Sequence, residues 1–308
     1  MIHVFIINSF SGHSERSKNL RERLKKYEDL NYFVFNTLDE GDEKEIAQKM
    51  CRYFNGEKIR FYCCGGTGTL RNMLDGISNL NSVEIAYFPC GLNSDYIKCF
   101  GDNAKLFYDI DNLINGDVVA VDYIKTNNGL ALNTCSVGMD SKVVALMNEY
   151  KDLESFGSRI PFLLGLMGSL INARSRKFRV NIGKDTISDE ISEIVIGNGT
   201  VIAGNLHISN KSEIDDGYCE YGIAMRKRRL SVIRILLAMM NSNFEKIRKL
   251  ATTGSGSFFE IRSYDELPIS MNLDGEIIEG GDFWRIEVIH KGLNLVVPEG
   301  IDMNKLYM

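Results

Sequence analysis

The stretch Ile59-Arg60-Phe61-Tyr62-Cys63-Cys64-Gly65-Gly66-Thr67-Gly68-Thr69 decides how this chain folds. An apolar run of strand length meets a glycine-rich turn, and an amphipathic segment of helical spacing, residues 70–77, follows it. Glycines at such a turn let the backbone approach an anion closely, and the amides opening the next helix point at phosphate oxygens. The stretch matches neither the GxGxxG dinucleotide fingerprint nor the GxxxxGK(S/T) loop, and a turn of this kind also arises for steric reasons alone.

Outward from it the same rhythm repeats. Apolar runs at 4–7, 32–35 and 83–88 each precede an amphipathic charged run, at 14–30, 42–54 and 95–100. Alternation of this kind predicts βα units around a parallel sheet. Ligands of such sheets sit beyond the strands' carboxyl ends, which here carry residues 8–12, Thr37, 65–69 and 89–91. Past Gly116 the texture changes to strand-like segments at 118–124, 129–137, 177–182, 190–197 and 218–225. Helical inserts fall at 160–172 and 230–250, and short strands return over 257–297. The expected division is an α/β domain over 1–116, a mainly β domain over 117–297, and a tail, 298–308, returning to the first.

Composition narrows the function classes. A chain of 308 residues exceeds one ordinary core, and 44% hydrophobic with 25% charged residues is globular rather than disordered. The net charge of −5 argues against general nucleic-acid binding. The longest apolar stretch, 160–171, falls short of the roughly 20 residues needed to cross a bilayer, so no transmembrane segment is expected. Met1 leads straight into an apolar run with no basic leader, and the seven cysteines lack paired metal-ligand spacing. A cytoplasmic protein with reduced thiols is expected.

In order along the chain, Asn8-Ser9-Phe10-Ser11-Gly12, Thr37 with Gly41-Asp42, the 65–69 turn, Pro89-Cys90-Gly91 with Asp95, Gly138-Met139-Asp140, Asp215-Asp216-Gly217 and Asn272-Leu273-Asp274-Gly275-Glu276 resemble the motifs of the diacylglycerol kinase-like lipid kinases. That family includes bacterial diacylglycerol and sphingosine kinases and is related more distantly to NAD kinases. The resemblance covers nearly the whole chain. It implies an α/β N-terminal domain, a parallel sheet with flanking helices, a mainly-β C-terminal sandwich domain, and an active site in the interdomain cleft. ATP would be the phosphate donor, Mg the metal, and the hydroxyl of a diacylglycerol-like lipid the acceptor.

By the same resemblance, Asn8, Ser11, Gly12, Thr37, Gly65, Gly66, Thr67, Gly68, Thr69 and Gly91 stand at nucleotide-binding positions. Asp216, with Asp215 and the backbone around Glu213 and Tyr218, stands at a structural magnesium site, where hard oxygen ligands are required. Glu276, with Asp274 beside it, stands where the family places its catalytic base, a carboxylate suited to deprotonating a hydroxyl that attacks the γ-phosphate. Read without the resemblance, Asp274-Gly275 is a hairpin turn and Asp215-Asp216-Gly217 a solvated one.

The chain also departs from the family pattern. Thr67 stands where the family's Gly-Gly-Asp-Gly-Thr has its Asp, Arg71-Asn72 replace Asn-Glu, and Leu92 and Ser94 replace the Thr and Asn after Pro-x-Gly. Loss of a metal-organising carboxylate removes electrostatic stabilisation of the transferring phosphoryl. A second reading is therefore a nucleotide- or lipid-binding protein of the same fold with impaired phosphotransfer, and a third is a kinase of a soluble acceptor such as NAD. Arg71 either binds phosphate or is an exposed helix arginine, and Asp42, Asp75 or Asp95 is a candidate for the missing metal contact. Basic runs at 174–177 and 226–229 fit either peripheral docking on anionic lipid or solvated faces. A homodimer formed through a strand edge is left open.

Overall fold

The computed structural model describes residues 1–9, 14–39, 41–90, 94–138, 175–202, 206–225, 229–303 and 306. The chain divides into two compact units, Met1–Tyr123 with Glu213–Gly217 and Ile289–Met308, and Ile124–Ser212 with Tyr218–Val288. The first boundary thus falls after Tyr123, beyond the composition change at Gly116. The chain also returns to the first unit twice, at Glu213–Gly217 and from Ile289 onward, well ahead of residue 298.

The first unit is the α/β domain that the alternating pattern predicts. Strand β1 (Ile2–Asn8) leads to helix α1 (Ser14–Leu24), β2 (Tyr32–Thr37) to α2 (Asp42–Tyr53), and β3 (Ile59–Gly65) to α3 (Thr67–Asp75), followed by β4 (Glu84–Pro89). The strands pair in parallel in the order β2-β1-β3-β4, and the segment Asn294–Val296 adds a parallel neighbour to β4. Nearly every residue of β1 and β3 is buried, which is why they read as continuous apolar runs instead of alternating ones. A buried ion pair braces the sheet of this unit. Arg60 faces Glu84 across β3 and β4, with Nε donating to Oε2 at 2.6 Å, and its Nη1 donates to the carbonyls of Leu113 and Ile114 at the end of α4 (Ile110–Ile114). Both partners are buried, but the guanidinium also satisfies carbonyls that the helix end leaves open, which offsets desolvation.

The strand β5 (Asp117–Thr126) runs out of the first unit, and its last residues pair with β6 (Gly129–Ala131) in the second. There the strands are antiparallel: β7 (Thr134–Val137), β8 (Arg176–Ile182), β9 (Asp185–Gly197), β10 (Val201–Ile202), β11 (Leu206–His207), β12 (Cys219–Met225), β13 (Thr252–Gly256), β14 (Phe258–Ser263), β15 (Met271–Leu273), β16 (Glu276–Ile278) and the first half of β17 (Phe283–Val297). Their inward residues form one core around Trp284, Phe259, Ile194 and Ile261. The Trp284 indole keeps its donor satisfied on the Ile269 carbonyl at 2.7 Å.

The expected insert at 230–250 is two helices, α5 (Arg229–Met240) and α6 (Phe244–Leu250), separated where Asn243 caps α6 by accepting from Lys246 N. The expected insert at 160–172 lies outside the described residues, as do Arg174 and Arg226–Arg228. Arg176, grouped with the basic runs on sequence, is tied down locally: it pairs with both carboxylate oxygens of Asp265 and donates to the carbonyls of Leu267 and Pro268. No helix among the described residues is long and apolar enough to cross a membrane. All seven cysteines are free, five of them buried.

Candidate active site

Parallel register lines up the first unit's strand ends. Asn8 lies opposite Thr37, and Gly65 opposite Pro89, so the positions singled out in sequence share one edge of the sheet. The Asn8 amide reaches both neighbouring loops, donating to Thr69 Oγ1 and to Glu43 Oε1, each at 2.9 Å. Thr37 is fully buried, and its hydroxyl accepts from Ser9 N at 3.4 Å. Thr69 folds back over the turn: a Cβ on Gly65 would lie 2.6 Å from it, so the first glycine is required by close approach. Gly66 then caps α3 in an extended conformation, without a side-chain cap hydrogen bond and with no acidic residue in the first turn. Helix α2 begins with Asp42, Glu43 and Glu45 instead. The macrodipole attracts anions to any helix N-terminus, and of the two neighbouring helices α2 and α3 it is α3 that presents one free of fixed negative charge in its own first turn, so phosphate is favoured there over α2. Ser11, Gly12 and Gly91 lie outside the described residues.

Thr67 opens α3, and its hydroxyl hydrogen-bonds the fully buried Tyr87 phenol, which in turn donates to Ser94 Oγ at 3.1 Å. Burial holds the Tyr87 phenol well above its ordinary value, so it stays neutral and keeps its proton to donate. Two of the departures from the family pattern, Thr67 and Ser94, are thus joined through one tyrosine. Arg71 is not an exposed helix arginine. It is 5% exposed, because it lies on the inner face of α3 with its guanidinium on Asn72 and Asp75. Each acid proposed as a substitute metal contact has its own partner. Asp42 accepts from Leu38 N and Asp39 N, which hold its carboxyl below the ordinary range, Asp75 faces Arg71 and Lys44, and Asp95 pairs with Lys98 at 2.6 Å.

Elsewhere in the first unit, a carboxylate that sequence reading passed over organises the Asp215-Asp216-Gly217 loop. Asp122 is fully buried on β5 and accepts from Gly217 N and Lys291 N, each at 2.6 Å, while His290 Nδ1 lies 3.1 Å away. Its own amide donates to the Ile214 carbonyl at 2.7 Å. Gly217 turns the loop with φ +83°. Asp216 is exposed, with Glu213 and Asp215 half-buried, and Tyr218 is the exposed residue that follows the loop. Among the described residues no three His, Cys, Asp or Glu side chains gather as a metal cluster. A cation on this loop would be held by one exposed carboxylate, main-chain carbonyls and water, a hard-oxygen set that fits magnesium.

In the second unit, Leu273 pairs with Glu276 across a two-residue turn, in which Asp274 and Gly275 have φ of +51° and +97°. This is the hairpin that the Asp-Gly pair predicts on its own. The turn has a second task. The Asp274 carboxylate accepts from three successive amides, Leu132 at 2.6 Å, Asn133 at 3.0 Å and Thr134 at 2.8 Å, and so pins the start of β7. Glu276 is half-buried at the first position of β16. Asp274 therefore holds backbone, and Glu276 is the member of the pair whose carboxylate is not engaged in that clamp.

Residues 3–126 match the diacylglycerol kinase catalytic domain, and residues 133–297 match the YegS C-terminal NAD kinase beta sandwich-like domain. The chain belongs to the diacylglycerol kinase-like family. A Shewanella frigidimarina protein named "Probable lipid kinase YegS-like" is 24% identical over 239 residues, covering 76% of this chain and 75% of its own. The crystal structure of a diacylglycerol kinase from Bacillus anthracis superposes with a TM-score of 0.69 at 15% identity, covering 97% of this chain and 98% of that one. At that identity the likeness speaks for the fold alone, whereas the two domain matches account for both halves of this lipid kinase-like chain.

Proposed function

We propose that the protein is an ATP-dependent lipid kinase that transfers the γ-phosphate to the hydroxyl of a diacylglycerol-like acceptor. The observation that carries this reading is the N-terminus of α3: uncapped, free of acidic residues, preceded by two glycines, and set at a strand edge in register with Asn8, Thr37 and Pro89. Phosphoryl transfer asks a protein mainly to position and to stabilise charge. The amides of residues 67–69 would hold donor phosphates, with Asn8 fixing Thr69 and Thr37 fixing the β1 loop. Glu276 would orient the acceptor hydroxyl and take its proton, on a hairpin that Asp274 holds rigid through residues 132–134. Magnesium held through Asp216, on the loop that Asp122 secures, would be the structural ion that the resemblance implies, fixing the loop.

Thr67 favours a second reading, an impaired enzyme that binds nucleotide or lipid. Its hydroxyl is bound to Tyr87, and it offers no carboxylate where the family has one. Transfer of labelled phosphate from ATP and magnesium to a mixed lipid extract in micelles, with ATP binding followed by calorimetry, separates the two. A labelled lipid supports the kinase and identifies its acceptor, whereas ATP binding without any labelled product supports the binding protein.

A further inference from the structure

Glu43 brings a carboxylate to the glycine turn, whose own sequence has none. It is the second residue of α2, 3% exposed, and its Oε1 accepts from Asn8 Nδ2 at 2.9 Å. The same nitrogen donates to Thr69 Oγ1, also at 2.9 Å. Serving one nitrogen, the carboxylate oxygen and the hydroxyl at the third position of α3 lie within about 6 Å of each other. Strand order fixes this meeting. β1 runs between β2 and β3, α2 follows the one and α3 the other, so the amide ending β1 reaches both helix openings. A place in the first turn of α2 and a bond from an amide N–H both suit a carboxylate. Asn8 is a neutral partner, whereas Asp75 and Asp95 set their charge against Arg71, Lys44 and Lys98.

Thr67 adds to the same balance. The Tyr87 phenol donates to Ser94 Oγ, so in the bond between Thr67 and Tyr87 the threonine is the donor. Its one hydroxyl proton is committed to Tyr87, and a phosphate oxygen there would meet the hydroxyl's oxygen. The amides opening α3 attract phosphate, but Glu43 beside them repels it. Two negative groups this close, screened from water by burial, are brought together by a cation between them.

We propose that Glu43 is a positioning residue for the cation that ATP carries: its charge draws magnesium·ATP to the opening of α3 and turns away ATP without a cation. The charge that Thr67 does not supply is thereby provided from α2. That the ligand is ATP rests on the kinase reading above; the demand for a cation rests on where Glu43 stands.

Calorimetry on the full chain, with ATP in excess magnesium and with ATP in EDTA, tests it. The parent should bind magnesium·ATP about 30-fold more tightly than bare ATP. Glu43→Gln still offers Asn8 an acceptor. It should bind magnesium·ATP about tenfold more weakly and bare ATP about threefold more tightly, which brings the two affinities together. Loss of a merely structural contact would weaken both. Adding Thr67→Asp to Glu43→Gln returns a carboxylate to the turn and should restore a preference of about tenfold or more for magnesium·ATP. Should Glu43→Gln not fold, Glu43→Asp, which draws the charge back by one methylene, should lower the parent's preference about threefold. Equal affinities in the parent, or a preference unchanged in the folded Glu43 variant, overturns the proposal. The two readings fail separately. A preference that depends on Glu43 without any phosphotransfer removes the kinase and leaves Glu43 its role, while phosphotransfer with a preference indifferent to Glu43 removes that role alone. Absence of ATP binding in both solutions overturns both.

Discussion

Glu276 and Asp274 are two residues apart and carry the same functional group, but their surroundings give them different work. The Asp274 carboxylate is spent on three amides, so Asp274→Ala strands Leu132, Asn133 and Thr134 N–H groups together. Urea unfolding should show a loss of about 3 kcal/mol, and activity should fall with the folded fraction. Glu276→Gln keeps size and strand pairing, so it should leave the urea midpoint within about 0.5 kcal/mol while lowering phosphotransfer by at least ~100-fold with ATP affinity unchanged. Retained turnover in Glu276→Gln would remove it from the base role. At the position where the family has its Asp, the proposed kinase reading expects Thr67→Asp to raise turnover, because the carboxylate would organise a metal at the opening of α3. The new side chain loses the hydroxyl that bonds Tyr87, so its melting temperature should drop. A rise in melting temperature without any rise in turnover would count against that role.

At the scale of elements, the strand-to-helix turns were the most legible part of the chain. Each βα unit announces itself through a buried run followed by helical spacing, and Gly65-Gly66 sits where the turn needs it. Gly65→Ala pushes a Cβ against Thr69, whose hydroxyl is the Asn8 acceptor. ATP affinity by calorimetry should fall about tenfold, and affinity equal to the parent's would mean that the turn holds no phosphate. The clamps that support these turns were not legible. Asp122 lies in the strand-like run 118–124, where one charge directly after Val118-Val119-Ala120-Val121 was its only signal, and its partners Gly217 and Lys291 are 95 and 169 residues away. Glu43 read as one of several acids opening a helix, although it is 3% exposed and receives the Asn8 amide. The Asp-Gly hairpin was visible as a turn, but its grip on residues 132–134 depends on contacts some 140 positions distant. Local pattern reports an element's own periodicity; it carries no record of which distant backbone an acid side chain will meet.

Across the whole molecule, acid stability sets two buried groups against each other. Burial, with Arg60 and the N-terminus nearby, lowers the His3 imidazole from 6.5 to about 4. The unfolded chain then binds the extra proton between about pH 6.5 and 4, so His3 makes stability fall as pH drops through that window, by on the order of 3 kcal/mol. Glu193 works in the opposite sense. Burial raises its folded value and makes the native state the tighter proton binder above the unfolded carboxylate pKa of 4.5, so its contribution is fully present below about pH 4.5 and is lost as pH rises. Each replacement should therefore tilt the profile its own way. His3→Gln, which keeps a partner for the Tyr62 hydroxyl, should flatten the decline between pH 6.5 and 4. Glu193→Gln should steepen it above pH 4.5, because the opposing term is gone. Unfolding free energies in urea at pH 4, 5, 6 and 7 for the parent and both variants measure the two slopes directly. A His3→Gln profile parallel to the parent's would mean that the His3 imidazole takes up its proton as readily folded as unfolded, and a parallel profile for Glu193→Gln would mean that its carboxyl ionises as freely folded as unfolded.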